Sequence, residues 1–284
     1  MRPLAITLGD PAGIGPEIIV RAFAEAPQDT RGCCVVGDVG VLRAAARTLP
    51  GLPPAVARVA AMGEALQAPP RCIPVLQPGL DAGPFAMGEV QAAAGRLAAD
   101  CVVWAARAAL HGEVAAVVTA PVHKEALAAA GVPFPGHTEL LQAQAAAFTG
   151  CPVAAMPVRM MLANEELRTV LVSIHVSLRA AIEAVRRDNV LQTVRIAHAA
   201  LARMLGRAPR IAVAGLNPHA GEGGLFGREE IEEIAPAVAA ARDEGIDAQG
   251  PFAPDTVFMR ARTGAFDVVV AMYHDQGLIP VKYL

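Results

Sequence analysis

Short runs of β-branched and small apolar residues alternate along this chain with longer segments rich in Ala, Leu, Arg and Glu, and this alternation restricts the fold most. Strand-like runs lie at Leu4–Leu8, Cys33–Val36, Ala115–Thr119, Thr169–Ile174, Ile211–Ala214 and Val268–Met272. Segments of helical character cover Pro16–Ala26, Val39–Thr48, Glu89–Leu110, Thr138–Thr149, Leu178–Leu205 and Arg228–Glu244. Alternation of this kind builds a largely parallel sheet with helices on both faces, so the expected class is α/β. The Pro-rich stretch Pro50–Pro84 reads as irregular or edge structure, and a change of domain is expected near residues 125–160.

Ligands of open α/β sheets bind beyond the carboxyl ends of the strands. Residues just after strand-like runs are therefore the first candidates for chemistry. His175 follows Thr169–Ile174, His219 follows Ile211–Pro218, and His274 follows Asp267–Tyr273. Imidazoles from three separate strand ends can converge on one divalent metal and leave coordination positions open for substrate. Single histidines are more often packed or exposed without function, and His111 and His198 read that way.

Other segments are less decisive. Gly9-Asp10-Pro11-Ala12-Gly13-Ile14-Gly15-Pro16-Glu17 joins a strand to a helix, with Pro16 suited to the first helical turn. Its spacing is neither Gly-x-Gly-x-x-Gly nor a Walker loop, which leaves a tight structural turn and a ligand loop both open. Thr119 and Lys124 flank the turn after Ala115–Thr119, either facing a ligand site or, for Lys124, simply solvated. In Gly136-His137-Thr138-Glu139, capping accounts for Thr138 but not for His137, which favours contact with a carboxylate or phosphate. The polar loops Asn217–Gly224 and Tyr273–Gly277 stand directly after buried strands, where irregular segments carry function. Asp275, beside His274, can orient that imidazole or polarise a hydroxyl, and Asp255 is a further carboxylate.

Composition narrows the function classes. A mean hydropathy of +0.40 owes much to alanine. The longest uncharged stretch, Leu140–Val158, holds Gln142, Gln144, Gly150, Pro152 and Pro157 and makes a poor spanning helix. The first ten residues read as strand and turn rather than as a signal peptide, so a soluble cytoplasmic protein with no membrane partner is expected. Five cysteines without a Cys-x-x-Cys pair do not form a disulfide framework, and Cys33-Cys34 reads as a pair of buried small hydrophobes. A net charge of -3, no basic run, and one Trp, two Tyr and eight Phe leave no footprint for nucleic acid.

Taken together, these segments resemble the 4-hydroxythreonine-4-phosphate dehydrogenase family of pyridoxal phosphate biosynthesis. The likeness runs from Gly9–Glu17 through Thr119–Lys124, Pro135–Glu139, Leu216–Gly224 and Gly250–Thr256 to Met272–Leu278. It implies a homodimer of two-domain α/β/α subunits, related in fold to isocitrate and isopropylmalate dehydrogenases, with an interdomain cleft. The expected division is 1–135 and 136–284, the first domain discontinuous and completed by late residues. By the same resemblance His175, His219 and His274 fall on the metal positions of a site shared between subunits. His137, Thr138 and Lys282 fall on substrate-binding positions.

The implied reaction is metal-assisted oxidation of 4-phosphohydroxy-L-threonine by NAD(P), followed by decarboxylation to 3-amino-2-oxopropyl phosphate. Zn is the metal expected first, with Mg or Co as alternatives. Asp255, Asp275 and Lys282 are the candidates for moving protons, and no residue is assigned to the dinucleotide. Two departures qualify the resemblance. The chain ends at Val281-Lys282-Tyr283-Leu284, short of a family segment that supplies an Asn and an Arg for the substrate phosphate. A metal- and ligand-binding homologue with impaired catalysis is therefore a rival expectation. Ser173-Ile174-His175-Val176-Ser177-Leu178 also differs from the usual Thr-Thr-His-x-x-Leu, and Arg187–Leu191 is atypical. This admits the branches that oxidise threonate or erythronate 4-phosphate, or the cis-dihydrodiol of terephthalate. A metal-dependent hydrolase using Asp275 as base is the remaining alternative.

Overall fold

The computed structural model describes residues 2–79 and 82–284. The chain divides into two compact units, Met1–Pro157 and Val158–Leu284. The helix that follows residue 136 packs on a long helix of the first unit and is grouped with it.

The first unit carries a wholly parallel sheet of β1 (Leu4–Thr7), β2 (Cys33–Val36), β3 (Ala55–Val59), β4 (Cys72–Leu76) and β5 (Ala116–Thr119), in the order β3-β4-β2-β1-β5. Its helices are α1 (Gly15–Glu25), α2 (Val39–Ala46), α3 (Ala92–Leu110), α4 (Lys124–Ala129) and α5 (His137–Thr149). Leu4–Thr7 pairs in register with Cys33–Val36 on one side and Ala116–Thr119 on the other. Ile19, Val20 and Phe23 of α1, Leu42 of α2 and Cys101 and Ala105 of α3 close the core around it. Cys33 and Cys34 are buried as expected, and burial pushes the Cys34 and Cys101 thiols up to about 12. The Pro-rich stretch contains two strands that sequence periodicity does not show. Pro53, Pro54, Pro69, Pro70 and Pro78 lie outside β3 and β4, while Pro74 lies within β4. Leu80 and Asp81 of that stretch are outside the described residues.

The second unit is a mixed sheet of β6 (Met161–Ala163), β7 (Arg168–Leu171), β8 (Ile211–Ala214), β9 (Ala248–Phe252) and β10 (Val268–Ala271). Its order is β6-β7-β10-β8-β9, with only the β6–β7 pairing antiparallel. Helices α6 (Leu178–Glu183), α7 (Arg187–Leu205), α8 (Ala235–Asp243), α9 (Pro254–Arg262) and α10 (His274–Tyr283) cover it. Strand side chains alternate between faces. Accordingly Ile211, Val213, Val268 and Val270 pack with α7 and α8, and Ala212, Ala214 and Val269 with Val257 and Ala261 of α9. This is the α/β class expected, built twice.

The single helix expected over Leu178–Leu205 is broken at Ala184–Arg186. Glu233 accepts from the backbone N–H of Arg187 at 2.7 Å and from Arg186 Nη1 at 3.1 Å, capping α7 from a distant segment. Among the described residues, no helix is long and apolar enough to cross a membrane.

Candidate functional site

The first unit places its glycine-rich turn by close packing. A Cβ on Gly9 would stand 2.4 Å from the carbonyl oxygen of Pro121, and one on Gly15 would stand 2.5 Å from that of Leu8. Asp10 donates its N–H to Pro121 at 2.8 Å, and its Oδ1 accepts from Ala12 N–H at 2.9 Å. These contacts account for Gly9 and Gly15 without a ligand. In the same unit α5 begins at His137 with Gly136 as its cap, so Thr138 is the second helical residue and does not cap. His137 is half-buried, its Nε2 3.2 Å from the Ala120 carbonyl, while Thr138 is exposed. Thr119 is half-buried and Lys124 exposed.

The second unit carries the three strand-end histidines. His175 is exposed four residues beyond β7. His274 is the first residue of α10, directly after the exit of β10. The two rings stand 5.6 Å apart between centroids. Two imidazoles sharing one tetrahedral ion at about 2.0–2.1 Å have ring centres roughly 5 Å apart, so the pair suits a common metal. Asp275 Oδ1 lies 2.7 Å from His274 Nδ1, the bond that holds this nitrogen protonated and leaves Nε2 as the lone-pair donor.

His219 sits apart from this pair, in the turn Pro218–Gly224 after β8, with its ring 6.2 Å from that of Phe226. Among the described residues, no three His, Cys, Asp or Glu side chains form a group able to hold a metal. Within one chain, then, the structure brings two of the three expected ligands together. The His219 turn is strained: His219, Ala220 and Glu222 have φ of 53°, 54° and 43°, in the left-handed region.

What holds that turn is Glu230, a buried carboxylate that accepts from the N–H groups of Leu216 and Asn217 at 2.7 Å and from Asn217 Nδ2 at 2.9 Å. Neighbouring Glu229 takes the other amide hydrogen of Asn217 at 2.7 Å. Hydrogen bonds from its own backbone N–H and from Asn217 keep the Glu229 carboxyl below the usual range. The sequence motif Asn217–Gly224 does not point to Glu230, whose partners lie 13 and 14 residues away. Asp255 is exposed in the first turn of α9, and Lys282 in the last turn of α10. Neither side chain has a hydrogen bond or ion pair among the described residues. His111 reads as surface packing, with Nδ1 2.8 Å from the Arg107 carbonyl and its ring edge-on to Phe148.

Comparison with known proteins bears on this arrangement. The family model described as "Pyridoxal phosphate biosynthetic protein PdxA" matches residues 29–284. The chain is 53% identical over 283 residues to the 4-hydroxythreonine-4-phosphate dehydrogenase of Beijerinckia indica, covering 99% of this chain and 80% of that protein. It is 44% identical over 283 residues to the D-threonate 4-phosphate dehydrogenase of Pectobacterium atrosepticum, covering 99% and 84%. Among solved structures, the 4-hydroxythreonine-4-phosphate dehydrogenase of Klebsiella pneumoniae matches with a TM-score of 0.89 and 44% identity, covering 99% of this chain and 83% of that one.

Proposed function

The chain belongs to the pyridoxal phosphate biosynthetic protein PdxA family, and on that premise we propose that it is a metal-dependent, NAD(P)-linked dehydrogenase acting in pyridoxal phosphate biosynthesis. Its substrate is 4-phosphohydroxy-L-threonine, oxidised at the C3 hydroxyl and decarboxylated to 3-amino-2-oxopropyl phosphate. The observation that carries the reading is the 53% identity over 99% of the chain to a dehydrogenase named for that substrate. The His175–His274 pair, with Asp275 on the far nitrogen of His274, supports the metal assignment. His219 is the third ligand in this reading, in a homodimer whose shared site draws histidines from both subunits. The enzyme works in the cytoplasm on a small phosphorylated hydroxy acid, without nucleic acid or membrane.

Each residue has a stated task. His175, His219 and His274 present imidazole nitrogens to a divalent ion, Zn before Mg or Co, and Asp275 orients His274. When bound, the ion polarises the substrate oxygen and NAD(P) supplies the hydride acceptor. His137 and Thr138, at the amino end of α5, bind an anionic substrate group where the helix dipole favours negative charge. Lys282 pairs with the substrate and, with Asp255 and Asp275, is a candidate to carry the protons released and returned.

A second substrate is favoured by one observation, the 44% identity to a D-threonate 4-phosphate dehydrogenase. Both readings share oxidation of a phosphorylated hydroxy acid. The purified chain, supplied in turn with Zn, Mg or Co and with NAD or NADP, decides between them through formation of the reduced dinucleotide. Turnover of 4-phosphohydroxy-L-threonine well above that of D-threonate 4-phosphate, erythronate 4-phosphate and the terephthalate dihydrodiol is expected. The reverse preference moves the assignment to another branch. No turnover of any of them, with metal bound, contradicts the enzyme reading.

A further inference from the structure

The strand exits of the second unit are tied together by side chains beyond the point where the sheet stops. Backbone pairing between β8 and β10 ends with Val213 opposite Val270. Past that rung the carboxamide of Gln276 takes over. Its Oε1 accepts from the N–H of Met272 at 2.7 Å, and its Nε2 donates to the carbonyl of Gly215 at 2.8 Å. Gln276 lies two residues after His274 in the first turn of α10, and its side chain is buried. Gly215 begins the segment that runs through Asn217 to His219. One side chain therefore joins the exit that carries His219 to the exit that carries His274.

The other side of β10 is tied in the same manner. The N–H and Oγ of Ser173, two residues before His175, both donate to the carbonyl of Met272, at 3.3 and 3.0 Å. Both backbone polar groups of Met272 are thus held, its carbonyl by Ser173 from the β7 exit and its N–H by Gln276 toward the β8 exit. Of these two side chains, only Gln276 both donates and accepts. That demands an amide of this length. Glutamate keeps the acceptor but sets a carboxylate oxygen against the Gly215 carbonyl, and methionine keeps the length but neither bond.

We infer that Gln276 is a positioning residue that sets the spacing between the His219-bearing and His274-bearing strand exits. Its bearing on metal affinity rests on the metal-site reading of those histidines. Side chains that orient metal ligands typically change affinity by about ten- to a hundredfold when replaced.

The test uses the full chain with Gln276→Met and Gln276→Glu, and with Thr193→Val as a control for general loss of stability. Thr193 is a fully buried hydroxyl on α7 that bonds the Asn189 carbonyl and Arg159, remote in sequence from the strand exits. Two readouts are taken: amide hydrogen exchange over residues 212–224 and 268–278, and titration with Co²⁺ followed by visible absorption. Both Gln276 variants are expected to exchange about tenfold or more faster at the two exits than elsewhere in the sheet and to bind Co²⁺ about tenfold or more weakly, whereas Thr193→Val speeds exchange no more at the exits than elsewhere and leaves Co²⁺ affinity unchanged. Unaltered exchange and Co²⁺ affinity in a folded Gln276→Met or Gln276→Glu chain would overturn the inference, as would equal Co²⁺ weakening in Thr193→Val. Faster exit exchange in the Gln276 variants, combined with a wild-type chain that binds no Co²⁺, upholds the positioning role and removes the metal reading instead.

Discussion

The turn that leaves β1 in the first unit is held chiefly by backbone. Asp10 N–H reaches Pro121, Gly88 N–H reaches Ala12 at 2.8 Å, and Gly9 and Gly15 press against carbonyl oxygens. The segments that leave β7, β8 and β10 in the second unit are held by side chains: Ser173, Glu230 and Gln276, all buried. A turn fixed by backbone contact admits no new side chain at its contact points but asks no particular side chain of the distant residues it touches. An exit fixed by buried side chains can present imidazoles in strained conformations, as at His219, provided residues far along the chain supply the partners. The candidate ligands lie on the side-chain-held exits.

The largest test of this contrast is in the first unit. Gly15→Ala would set a Cβ 2.5 Å from the Leu8 carbonyl, an overlap that only backbone movement relieves. A loss of about 3 kcal/mol is expected from denaturant unfolding. A loss below about 1 kcal/mol would show that the turn yields and that the backbone lock is illusory.

The division of labour also explains what could be read from the chain alone. β2, β8 and β10 are buried along their whole length, and their apolar runs stand out within a few residues. β3 is exposed at Ala55, Ala57 and Arg58 and follows directly on Pro53-Pro54, β6 has three residues, and β9 contains Gly250-Pro251, so none carries that signal. α10 was legible only as a loop, since Gly277 and Pro280 are poor helix formers, and it forms by packing Leu278 and Val281 into the core. The histidines at the strand ends were legible because an apolar run followed by a polar loop is a local pattern. The separation of His219 from the other two was not, nor were Glu230 and Gln276, because the first bonds across 13 and 14 residues and the second across 61.

A smaller effect tests the side-chain-held unit at its opposite end. Asp267, just before β10, accepts from Arg207 at 2.7 and 2.9 Å and from the N–H and Nε of Arg210, just before β8, at 2.7 and 3.2 Å. The Arg207 hydrogen bonds first, and then those of Arg210, hold the Asp267 carboxyl well below the usual carboxylate range. A folded-state pKa depressed in this way gives stability that is present above about pH 4 and lost as the pH falls toward the folded value. Asp267→Asn should cost about 1–2 kcal/mol near neutrality and flatten the loss of stability below about pH 4. Unfolding midpoints across that range check it. An unchanged acid slope in the variant would mean that this ion cluster does not tie the strand entries together.

We propose that the strand-end histidines of the second unit hold a metal on which a decarboxylating dehydrogenase depends. The most direct measurement is metal content together with dinucleotide reduction in wild type and in His219→Ala, with folding followed by circular dichroism. A stoichiometric divalent ion and turnover in the wild type, both lost in a folded His219→Ala chain, are the predicted result. A His219→Ala chain that retains its metal and its turnover would contradict the account.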